Sequence, residues 1–103
     1  MTTDEKVKLA EEIAGRLVGI VPSEWGKWAA YAARHGVEKG LRFARTMMSS
    51  PSLRPRQRRS YQTIFEVLSR FEESLRGLPS SEVAEILGYV RQSLIARRAA
   101  SVQ

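Results

Sequence analysis

Apolar residues recur along the chain at steps of three and four, and the steps break at a few glycines, prolines and serines. Val7, Ala10, Ile13, Leu17 and Ile20 trace one stripe, which predicts a first helix over residues 1–20. Thr2 or Thr3 can cap it, and Asp4 and Glu5 lie where the helix dipole favours anions. Lys8 and Glu12 offer an exposed pair worth about 0.3 kcal/mol. Gly15 and Gly19 weaken this helix, and Pro22 ends the segment.

Ser23 is the expected cap of a second helix reaching Arg34, with Trp25, Trp28, Ala29 and Ala32 on one face. The two tryptophans read as core or interface anchors, or as a platform for stacked bases. Tyr31 lies off that stripe and is the better stacking candidate. His35-Gly36 closes the helix, His35 reading as a surface cap residue. A third helix is expected over 37–49, with Val37, Leu41, Ala44 and Met48 inward. Residues 49–55 read as a loop in which Pro51 and Pro55 oppose helix continuation, and Pro55 can take the first position of the helix that follows.

The sharpest periodicity belongs to 60–76, where Tyr61, Ile64, Leu68, Phe71 and Leu75 keep a 3-4-3-4 spacing suited to packing between helices. Gly77 and Pro79 stop it. Ser80 or Ser81 caps a last helix striped by Val83, Ile86, Leu87, Val90 and Leu94. Residues 99–103 are expected to fray. No alternating strand pattern and no internal repeat occurs. The fold class is therefore all-α, a compact bundle of about five helices with no sheet, formed as a single domain over 1–103.

Charge changes this picture, because it is segregated. The chain carries a net +6, and residues 27–59 alone hold nine bases against the single acid Glu38. Lys39, Arg42 and Arg45 fall at steps of three on the third helix, largely apart from its apolar stripe. They form either a solvated face or a row of phosphate contacts. Arg54, Arg56, Arg58 and Arg59 crowd the loop and the start of the next helix. Four like charges beside a positive helix end repel, and a bound anion would relieve both strains; a solvated basic loop is the plainer alternative. Arginine predominates, and its planar fork suits phosphate. These seven residues are the candidate nucleic-acid contacts. The reading requires that they share a face and stay clear of the outer helices' carboxylates.

The sequence contains no cysteine and one histidine. Thiolate metal sites, disulfides and Cys/His nucleophile pairs are thereby excluded, which fits the cytoplasm. Glu11-Glu12 and Glu72-Glu73 are adjacent pairs, splayed about 100° apart on a helix, so neither converges on a substrate. No glycine-rich phosphate loop is present. No catalytic residue, metal site or cofactor is expected. Neither a signal peptide nor a membrane-spanning stretch is expected.

Residues 28–44, WAAYAARHGVEKGLRFA, resemble the small helical subunit of type III CRISPR effector complexes. The shared outline is a helix, a glycine followed by an apolar residue (Gly36-Val37), then a small–Leu–x–Phe run (Gly40-Leu41-Arg42-Phe43). Residues 80–100 are similar to the closing helix of those subunits, passing from an acidic, apolar start at Glu82 and Leu87 to a basic end at Arg91 and Arg97-Arg98. The resemblance implies a non-catalytic protein that stacks in several copies along a ribonucleoprotein, beside partner subunits. It would touch the guide–target duplex through backbone phosphate. Arg42 and Arg45, beside Phe43, would be the contacts. The arginines at 54–59 lie outside the matching motifs and rest on charge alone. Two other readings stay open. One is a helix-turn-helix DNA-binding protein using the second and third helices, although Val37, Glu38 and Lys39 are poor base readers. The other is a helical protein-interaction module.

Overall fold

Thr2 starts the first helix with a reciprocal pair of bonds. Its hydroxyl accepts from the Glu5 N–H at 3.2 Å, and its own N–H donates to the Glu5 carboxylate at 2.8 Å. The computed structural model describes residues 1–101 and places them in five helices: α1 (Thr3–Arg16), α2 (Pro22–His35), α3 (Val37–Met47), α4 (Pro55–Leu75) and α5 (Ser80–Ser101). No strand occurs among the described residues. The all-α bundle expected from the periodicity is the fold observed. Of the segment expected to fray, residues 99–101 continue α5, and Val102 and Gln103 lie outside the described residues.

The first two helices each differ from expectation at one boundary. The first helix stops at Arg16 instead of reaching Ile20. Gly19 adopts φ 82°, a left-handed conformation that a helix cannot contain, and Val21 is held extended by the proline after it. Leu17 and Ile20 are still buried, now from the turn. Pro22 opens α2 at its first position, where its missing N–H costs nothing, so Ser23 lies inside the helix and is not its cap. Pro55 takes the first position of α4, as its fixed φ and missing N–H allow, so the helix starts one and a half turns before the periodic stretch at residue 60.

The helices pack in the order α1, α5, α2, α3, α4, forming a slab of 41 × 37 × 19 Å. Trp25 and Trp28 are fully buried at its centre, with ring centroids 5.2 Å apart. The Trp25 indole N–H donates to the Leu87 carbonyl at 3.1 Å, tying α2 to α5. That of Trp28 donates to the Gly40 carbonyl at 2.8 Å, tying α2 to α3. Burial of each ring is worth about 5 kcal/mol of transfer free energy. Neither tryptophan can therefore serve as a base platform. Ile64 and Leu68 of α4 and Ile86, Leu87 and Val90 of α5 complete the core.

Charge also joins α1 to α5. Lys6 is only 8% exposed, and its ammonium lies 3.2 Å from Glu85 and 3.7 Å from Glu82. Val7, expected inward, is exposed because Lys6 takes the inward position. The Lys8–Glu12 pair does not form among the described residues; Glu11 instead binds Ser93 at 3.1 Å and Arg97 at 3.4 Å across the helix pair.

Candidate nucleic-acid interface

The third helix buries Val37, Gly40, Leu41 and Ala44 and turns Glu38, Lys39, Arg42, Arg45 and Thr46 to solvent. Its basic row is thus a true outer face. Arg42 reaches Glu38 only at 4.0 Å, with both side chains about three-quarters exposed, a pairing too loose and too wet to immobilise either. Lys39 and Arg45 have no carboxylate within ion-pair distance among the described residues.

Beside this row runs a line of aromatic rings. Tyr31 of α2 stacks on Phe43 of α3, centroids 4.4 Å apart and planes 18° from parallel. His35 packs against Tyr31 at 4.6 Å, and Tyr61 of α4 meets Phe43 edge-on at 5.7 Å. The line crosses three helices and stitches their outer surface together. Tyr31, Phe43, Lys39, Arg42, Thr46 and Met47 line an open hollow of about 440 Å³. Lys39 and Arg42 also border a second hollow of about 290 Å³, at the α2–α3 junction, where His35 and Arg76 stand beside the carboxylates of Glu38 and Glu72.

The other four predicted contacts lie at the start of α4, and the structure does not bring them to the α3 hollow. Arg54 precedes the helix, and its N–H donates to the Gln57 side chain at 3.1 Å. Arg56 points between α4 and the α1–α2 turn. It lines one hollow with Arg54, Ser23 and Glu24, and another with Arg97 and Arg98. Arg59 is exposed. Arg58 turns back and donates to the carbonyls of Leu53 at 2.7 Å and Ser50 at 3.3 Å. Its charge holds the loop that precedes α4, so it is a structural residue first. The single cluster expected from sequence is therefore two patches, the α3 row and the α4 start, and the requirement that all seven share a face clear of the outer carboxylates is met by the α3 row alone.

Sequence reasoning missed an acid in the second patch. Glu24, in the first turn of α2, accepts from the Ser60 hydroxyl at 3.0 Å, while its other oxygen is buried without a partner. Its carboxylate lines the same hollow as Arg54 and Arg56 and opposes an anion there. Gln57 already satisfies the Arg54 N–H. The α4 start is thus less starved of negative charge than the sequence implied, and the α3 row is the stronger candidate. Burial, and then the Glu24 charge, push the Tyr61 phenol above its ordinary value.

Comparison with protein-family models, with curated proteins and with solved structures finds no match for this chain.

Proposed function

We propose that this protein is a non-catalytic, RNA-backbone-binding subunit of a larger ribonucleoprotein assembly. The observation that carries the reading is the α3 outer face: Lys39 and Arg42 border a hollow with aromatic walls, and Arg45 follows one turn on, exposed and without a carboxylate within ion-pair distance among the described residues. Arg54, Arg56 and Arg59 form a second, weaker patch. The resemblance of residues 28–44 to the type III CRISPR small subunit supports the same reading. Those residues form the α2–α3 pair that carries the face, and Gly40 of the shared run lets α3 approach Ala32 and Trp28. In such an assembly the protein works in the cytoplasm beside partner subunits and further copies of itself. Base pairing elsewhere supplies sequence choice, while these side chains supply salt-sensitive affinity.

The α2–α3 pair, joined by the single residue Gly36, also favours a second reading, a helix-turn-helix DNA binder with α3 in the major groove. One experiment separates these readings and the interaction module. The protein is purified at low salt and treated in parallel with ribonuclease and deoxyribonuclease, with absorbance ratio and mass recorded. Loss of absorbance and mass with ribonuclease alone supports RNA binding. Loss with deoxyribonuclease alone, together with a footprint at one duplex sequence, supports the DNA reading. A protein free of nucleic acid that binds neither RNA nor DNA in titration overturns both.

A further inference from the structure

We infer that the hollow beside α3 seats an unpaired nucleobase against the Tyr31–Phe43 pair, with Lys39 and Arg42 holding the adjoining phosphates, so that this face takes single-stranded rather than duplex RNA. The inference rests on the backbone-binding role proposed above and adds to it a strand state, single in place of the guide–target duplex that the resemblance implied.

Three observations carry it. The hollow is open to solvent and about 440 Å³, room enough for a single nucleobase. Its walls combine two aromatic rings, the Met47 thioether and two cations, which is the composition of a single-strand site: stacking surface for bases, positive charge for the backbone. Finally, Lys39 and Arg42 border both this hollow and the one at the α2–α3 junction. The junction hollow also holds Glu38 and Glu72, whose charge leaves the aromatic side as the place for phosphate. Tyr31 and Phe43 are half-buried and braced by His35 and Tyr61, so the platform exists before any ligand arrives and binding orders little.

The test compares the unmodified protein's affinity for three probes of equal length: an adenosine hexamer, the same hexamer with abasic sites, and a hexamer duplex. The expected result is that loss of the bases weakens binding about tenfold or more, and that the duplex binds no better than the abasic strand. A 2-aminopurine in the hexamer should change its fluorescence on binding. Phe43→Leu and Tyr31→Leu should lose the preference for the hexamer over its abasic form. Tyr31→Phe should keep it, and thermal melts show that each variant is folded. If the abasic strand and the duplex bind as tightly as the hexamer, and Lys39→Ala with Arg42→Ala weakens all three alike, the base site is overturned and the backbone role stands. If none of the probes binds, both are overturned.

Discussion

Trp28 and Gly40 fix how closely α2 and α3 approach. The indole N–H reaches the Gly40 carbonyl at 2.8 Å, and a Cβ on Gly40 would meet the Trp28 ring at 3.1 Å and the Ala32 Cβ at 2.9 Å. Neither neighbour can swing aside, since Trp28 is wholly buried and Ala32 Cβ is fixed to its backbone. Alanine would return about 1 kcal/mol of helix propensity, but overpacking costs about 1–3 kcal/mol. Gly40→Ala is therefore expected to lower stability by about 1 kcal/mol in urea unfolding, and Gly40→Val by more. A variant as stable as the parent would show that the two helices can part freely.

Arg58 should behave unlike the arginines around it. Its two bonds to the Ser50 and Leu53 carbonyls are charge-assisted and partly shielded from water. Arg58→Met is expected to cost about 1–2 kcal/mol of unfolding free energy while leaving the salt dependence of RNA binding nearly unchanged. Arg59→Ala, on an exposed side chain, should do the reverse. Equal effects of the two on binding would place Arg58 among the phosphate contacts after all.

Two groups make the fold sensitive to alkali, and their signs agree. Tyr61 is half-buried beside Glu24, so its phenol ionises above the ordinary 10.0. The unfolded chain therefore loses that proton first, and stability falls as pH rises past about 10. Lys6 is held protonated above its ordinary 10.5, chiefly by its bond to Glu85 and against the cost of desolvation. Its contribution is complete below that value and is lost as pH rises through the folded one. Stability is thus expected to decline above pH ~10. Tyr61→Phe should flatten part of the decline, and Glu24→Gln should bring the Tyr61 titration, followed by its ring resonances, down toward the ordinary value. A Tyr61 that ionises at or below 10.0 would contradict the burial described here.

Much of this architecture is legible from residue spacing alone. The stripe from Tyr61 to Leu75 specifies α4 because 3-4 repetition has one economical solution, a helix packed against others. The tryptophan pair falls on the buried side of α2 for the same reason. Periodicity could not show that Leu17 and Ile20 reach the core from a turn, since a buried loop and a buried helix face can present the same residues. Nor could it show that Lys6 replaces Val7 inward, because that depends on Glu82 and Glu85 arriving from α5. The basic row on α3 was visible as a three-residue step. The separation of Arg54, Arg56 and Arg59 from it was not, since neighbours in sequence across a loop need not share a surface. The Tyr31–Phe43 stack joins two helices and has no local signature, although Tyr31's place off the stripe marked it for attention.

Under the proposed function the α3 row and the α4 start contact RNA phosphate, and such contacts have a numerical signature. The affinity of a single-stranded RNA is measured between about 50 and 200 mM salt for the parent and for the variant carrying Arg42→Ala, Arg45→Ala, Arg56→Ala and Arg59→Ala. Each lost phosphate contact should reduce the slope of log affinity against log salt by about 0.7, so the combined variant should bind weakly with a slope flatter by up to about 3. A folded variant that matches the parent in affinity and slope would contradict the account.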